Sequence, residues 1–262
     1  MDKQKLLKLA ENPNHILGIY NYCNRWCERC TFTSKCLNYK MGEEHSDDSE
    51  ANDINNKKFW DQLTEMFKIT LELLYEDAEK MGIDLNAIDT KEIEKTEKVL
   101  QQKTDKHICA TESYKYVYMV KKWFEAYPEI SKSKQDELIQ QAELEITSTD
   151  SVKEIEKIKD LIEVIHWYQF QIHVKAKRAI HGMLDNFSDD DDSDYPNDSD
   201  GSAKVALIGI DDSIAAWGEL MNIFRSQENE ILNILVHLER LRKTIEKTFP
   251  KARAFKRPGF DD

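Results

Sequence analysis

Four of the five cysteines fall within fourteen residues, Cys23, Cys27, Cys30 and Cys36 in the run YCNRWCERCTFTSKC. Thiolates are soft metal ligands, and the spacing C-x3-C-x2-C-x5-C lets one short loop fold its sulfurs around a single centre. The leading reading is a [4Fe–4S] cluster with all four cysteines as ligands. Known cluster loops also pack their cysteines two or three residues apart, because one loop must wrap a compact cuboid. Arg25, Arg29 and Lys35 would offset the charge of such a cluster, and Trp26 and Phe32 would screen it from water. The alternative is structural Zn. Four thiolates satisfy a tetrahedral Zn²⁺, and the ion would fold a segment too small to fold unaided. Zinc ribbons, however, divide their ligands into two C-x2-C knuckles, and here only Cys27 and Cys30 make one. Two disulfides or unconnected thiols are the bland reading, which a reducing compartment disfavours. Cys109, remote in sequence, reads as a small core residue.

Cys23, Cys27 and Cys30 match the C-x3-C-x2-C run that binds the cluster in radical SAM enzymes. That resemblance implies a barrel of strands and helices and three ligands, whereas this chain is poor in glycine, reads as helical and has a fourth cysteine close by. The whole run YCNRWCERCTFTSKC also resembles the N-termini of uncharacterised bacterial proteins with a helical body. No function is carried over from them.

A second set of chemically capable residues lies on a long helical stretch. Glu163 and His166 form an E-x-x-H pair, and His173 follows two turns later at nearly the same helical angle. Di-iron carboxylate bundles use that motif twice with two further glutamates. Here it occurs once. His237 on the last helix lacks a glutamate three residues before it, and Glu72, Glu76, Glu112 and Glu230 are the nameable donors. A di-iron-type oxidase is therefore the second alternative, beside histidines that sit hydrogen-bonded at the edge of a core. Gln169 falls within the apolar stripe and implies a polar network or a pocket.

The elements that must carry these residues read as helices. Only eight glycines and five prolines occur in 262 residues, with 33 % charged and 40 % apolar. That composition suits amphipathic helices better than a barrel or a doubly wound sheet. The expected fold is all-α, a bundle of about four long helices with a small N-terminal four-cysteine metal-binding module. Residues 1–40 form the module, with 15–20 as a short strand or extended lead, and 41–53 an exposed acidic linker. The bundle spans 54–250. Its first helix covers 54–81, with Phe59, Leu63, Met66, Phe67, Leu74, Ala78 and Met81 on one apolar face and Gly82 as the stop. Residues 89–103 are a surface helix or loop. A second core helix covers 106–126, rich in tyrosine and tryptophan, and 133–146 is an outer helix.

The third core helix runs from a Ser151–Glu154 capping box to about Leu184, with Ile155, Ile158, Ile162, Ile165, Ile172, Ala176, Ala179 and Met183 on one side. Residues 186–202, with seven aspartates, read as a mobile acidic loop, and the last helical region, 202–249, breaks near Ser226. The basic residues of 251–262 read as a solvated tail or docking segment.

The net charge of −13 and the lack of a basic stripe argue against nucleic acid as a partner. No segment approaches eighteen uninterrupted apolar residues, so no membrane span is expected. The first residues carry no signal-like apolar stretch, which sets the cytoplasm as the expected compartment. A redox partner or other protein partner is expected. Substrate, reaction and oligomeric state are not written in any pattern.

Overall fold

The structure is a computed structural model that describes residues 3–46, 50, 53–128, 130, 149–185 and 198–261. These residues form eight α-helices and no strand: α1 (Lys3–Ala10), α2 (Leu37–Ser46), α3 (Lys57–Lys80), α4 (Thr90–Lys106), α5 (Ile108–Ala126), α6 (Thr149–Asp185), α7 (Asp198–Ile223) and α8 (Glu228–Thr248). The all-α expectation holds. The chain divides into two compact units, Met1–Glu97 with Arg257–Asp262, and Lys98–Lys256. Among the described residues no helix is long and apolar enough to cross a membrane.

The unit Lys98–Lys256 is built on α5 to α8. α5 packs on α6, α6 on α7, α7 on α8 and α8 on α5, so each of the four helices touches two others. The α6 stripe buries Ile155, Ile158, Ile165, Ile172, Ala176 and Ala179, as its three- and four-residue steps require. α6 and α7 approach closely because glycines face the partner helix. A Cβ on Gly209 would come within 2.8 Å of Tyr168, and one on Gly182 within 2.7 Å of the Ser199 hydroxyl. Gly209 and Gly218 therefore do not break α7; the break comes at the tight turn Arg225–Gln227. α7 also starts earlier than expected, at Asp198, where Arg178 of α6 holds the Asp198 carboxylate through two hydrogen bonds of 2.9 and 2.6 Å. The rest of the expected acidic loop, 186–197, and the expected helix at 133–146 lie outside the described residues.

Aromatic residues fill the middle of this unit. Trp217 and Tyr116 are fully buried, and the Trp217 indole N–H donates to the Tyr116 hydroxyl at 3.2 Å. Burial pushes the Tyr116 hydroxyl up to about 12. Trp123 meets Trp217 edge-on at 4.9 Å, a favoured arrangement for two aromatic rings. Tyr114 and Tyr118, on the same tyrosine-rich helix, are more than half exposed.

The unit holding the cysteines is organised differently. α3 starts at Asn56, whose side-chain oxygen accepts the Lys58 amide at 2.9 Å. It ends as Gly82 predicts: at φ +70° the chain turns left-handed, the Gly82 N–H reaches the Glu79 carbonyl, and the Ile83 N–H reaches Ala78. That is the Schellman pattern for closing a helix. Its apolar face, however, is not a core face. Of the seven residues expected there only Ala78 is buried, joined by Ile69, while Phe67, Leu74 and Met81 are 62, 53 and 74 % exposed. The expected linker is also partly helical, since α2 continues to Ser46. The stretch at 15–20 is a series of turns ending in the one-turn helix Ile19–Asn21, not a strand.

Candidate metal centre

A string of tight turns positions the cysteines. Gly18, left-handed at φ +74°, leads into the turn Ile19–Asn21. The chain then bends back at Asn24, whose side-chain oxygen accepts the Trp26 N–H at 3.2 Å, with Arg25 also left-handed at φ 59°. Asparagine stabilises such bends by bonding its own backbone two residues on. Two one-turn helices follow, Cys27–Arg29 and Thr33–Lys35, and each delivers a cysteine at its end. The Cys30 N–H bonds the Cys27 carbonyl and the Cys36 N–H bonds the Thr33 carbonyl, after which both residues are extended. Cys36 also starts α2, where its carbonyl accepts the Lys40 N–H. Finally, the Ile16 N–H bonds the Lys35 carbonyl at 3.0 Å, which ties the start of the loop to its end.

Cys23, Cys27, Cys30 and Cys36 line one cavity of about 20 Å³, with Trp26 and Phe260 among its walls. All four thiols are free and half-buried. The Phe32 N–H points at the Cys30 sulfur at 3.4 Å, and the Cys23 thiol donates to the Tyr20 carbonyl at 3.6 Å. Burial pushes the Cys27 thiol up, and the neighbouring Cys23 and Cys36 push it further. Four thiolates would repel one another here unless a cation lay between them. Arg25 lines the cavity, and the Arg29 guanidinium stacks over the Trp26 ring at 3.8 Å, a cation–π contact that holds the indole against the loop.

No known protein family, curated protein or solved structure matches this chain. The site has to be read from its own atoms. Among the described residues, no three His, Cys, Asp or Glu side chains are arranged to hold a metal ion together, the four cysteines included. Simultaneous ligation requires the sulfurs to draw in from their present positions.

The second candidate set is not brought together. His166 is stacked on the Phe124 ring at 4.3 Å, and Glu163 beside it is exposed. His173 lies 2.9 Å from the Ser113 hydroxyl, which itself donates to the Ala110 carbonyl, so the His173 Nδ1–H is the donor. The two nitrogens of His237 both face Glu112: Nε2–H bonds its backbone carbonyl at 2.9 Å, and Nδ1 sits 3.6 Å from its carboxylate. These contacts tie α6 and α8 to α5. Among the other named donors, Glu72 and Glu76 pair with Lys3 of α1, and Glu230 is exposed. Gln169 donates to the Val117 carbonyl at 2.9 Å, the polar-network outcome. Cys109 is fully buried in the helical unit, as expected of a small core residue.

Sequence reasoning missed one wall of the cavity. Phe260 belongs to the segment read as a solvated tail or docking segment, with no link to the cysteines, yet it meets the Phe32 ring edge-on at 5.0 Å. A sign was available: Gly259 followed by an aromatic, bracketed by Arg257 and Asp261 four residues apart, is the composition of a folded turn.

Proposed function

We propose that Cys23, Cys27, Cys30 and Cys36 hold a metal centre, that its occupant is an iron–sulfur cluster of the [4Fe–4S] type, and that the cluster serves electron transfer or redox sensing. The observation that carries this reading is that all four cysteines of the run line a single cavity. Further support comes from the Phe32 amide aimed at the Cys30 sulfur, since amide donors to ligand sulfurs stabilise thiolates and tune cluster potential. Arg25 and Arg29 supply positive charge, and Trp26, Phe32 and Phe260 supply a screen from water. Among the described residues the cysteine unit buries few apolar side chains, Ile19, Tyr22, Ile69 and Ala78. A unit so thinly packed gains most from ligand bonds, because metal binding adds directly to folding free energy. In this reading α5 to α8 are a four-helix bundle, the compartment is the reducing cytoplasm, and the partner is a protein that exchanges electrons with the cluster.

Structural zinc is the second reading, and the cavity volume favours it. About 20 Å³ suits a body the size of one water molecule, and a single ion would be reached by drawing the sulfurs in around it. Zinc would staple the module, and the helices would then act as a non-enzymatic interaction surface. The two readings separate in a visible spectrum with sulfide analysis on protein purified without oxygen. Broad brown absorption with acid-labile sulfide supports the cluster. A colourless protein with bound zinc overturns it and leaves the staple.

A further inference from the structure

The segment Arg257–Asp261 closes one side of the cysteine cavity, far from it in sequence. It is a tight turn with internal bonds: the Phe260 and Asp261 N–H groups both reach the Arg257 carbonyl. The Asp261 carboxylate takes three hydrogen bonds from Arg257, one from its backbone N–H at 3.0 Å and two from the guanidinium at 3.0 and 2.9 Å. Both side chains of this pair are mostly buried, at 16 and 21 % exposed, so water screens the clasp less than it would a surface pair. The guanidinium carbon also lies 4.9 Å from the Phe260 ring centre, and Phe32 meets the same ring edge-on at 5.0 Å. Gly259 seats the turn on the cysteine loop. Its φ of +75° suits glycine, and a Cβ there would come within 2.8 Å of Ile16 and 3.2 Å of Ile19.

These contacts give the segment one task at the cavity. Clasp and seat together hold one phenyl ring against the cavity that the four cysteines line. We propose that Arg257–Asp261 is a latch on the cysteine cavity, and that the Phe260 ring controls how fast small reagents and metal ions reach the sulfurs. For metal ions the proposal rests on the metal-centre reading; for the thiols it stands without it. Local opening of so short a segment, not unfolding of the chain, sets the rate of access.

The test has two arms on the full-length chain. In the first, metal-free reduced protein reacts with a chromogenic disulfide reagent, and the four half-buried thiols are followed while fully buried Cys109 serves as the internal control. Phe260→Ala is expected to speed labelling of the four by about tenfold, and Asp261→Asn or Gly259→Ala by a smaller factor, with Cys109 and the helical circular dichroism unchanged. In the second arm, zinc-loaded protein transfers its ion to a chromogenic chelator, with the same order of rates. Labelling of Phe260→Ala at the wild-type rate overturns the latch. If Phe260→Ala loses its circular dichroism, Asp261→Asn decides, since it keeps the ring and releases only the clasp; an unchanged labelling rate in that variant equally overturns the proposal. A protein that takes up no metal but shows the labelling difference removes the metal reading and leaves the latch standing.

Discussion

The two units of this chain are held by different means. In Lys98–Lys256, α5 to α8 seal one set of large side chains from water, with Trp217, Ile165, Ile172, Leu207 and Leu238 at 2 % exposure or less, while Tyr114, Tyr118, Phe170 and Val174 stay on the outside. In the unit that carries the cysteines, Trp60, Phe67, Leu74 and Met81 of α3 and its stop are spaced by seven residues and are each more than half exposed. Local bonds do the holding there: one-turn helices, an asparagine bend, a left-handed glycine and a partly buried arginine–aspartate clasp. Burial of a large side chain is worth about 1.5–3 kcal/mol, whereas a net hydrogen bond is worth about 1 kcal/mol. Apolar burial therefore carries the first unit, and the second is the one in which ligand bonds would matter.

Substitutions should expose that contrast, beginning with the largest effect. Trp217→Ala is expected to cost about 3–5 kcal/mol, because it empties a fully buried site and removes the indole N–H that donates to the Tyr116 hydroxyl. Urea unfolding followed by circular dichroism reads this directly, and a loss below about 1 kcal/mol would break the account of the aromatic core. Gly209→Ala comes next. Its methyl would meet the Tyr168 ring at 2.8 Å and Ile172 at 3.1 Å, so α6 and α7 must separate, at about 1–3 kcal/mol. A variant as stable as wild type by the same measurement would show that this helix pair can relax.

How much of this was legible depended on whether a signal was local. The α6 stripe, the glycine stop of α3 and the break near Ser226 are written in adjacent residues, and the structure has all three. The α3 face shows the limit. Its spacing marks an amphipathic helix equally well whether the face meets a core or stays exposed, because periodicity encodes a stripe and not its partner. His237 shows another: its hydrogen bond to the Glu112 carbonyl and its approach to the Glu112 carboxylate depend on the register of α8 against α5, which neither helix states alone. The cysteine loop was legible as a cluster because its four thiols are neighbours in sequence. The Phe260 wall was not, since nothing in either segment names the other.

Mild acid should weaken the helical unit. Burial holds His173 and His107 below their ordinary 6.5. The folded state then binds fewer protons than the unfolded one as the pH drops. Stability is intact above about 6.5 and declines as the pH falls below that value toward the lowered folded values. The urea midpoint should fall between neutral and mildly acidic solution, and His173→Gln should flatten part of that slope. An unchanged slope would remove His173 from the account.

The smallest effect is expected on α3. Phe67→Ser removes a ring that is 62 % exposed, and should change stability by no more than about 0.5 kcal/mol. A loss above about 2 kcal/mol would mean that this face is covered, and would undo the contrast between the units.

The central claim is that one centre is shared by four thiolates, and metal stoichiometry tests it most directly. Wild-type protein and a variant with Cys23, Cys27, Cys30 and Cys36 all changed to serine would be purified together without oxygen and analysed for iron, zinc and sulfide. The account predicts bound metal in the wild type and none in the variant, with the helical circular dichroism of the variant nearly unchanged. Equal metal in both proteins, or none in either, would contradict it.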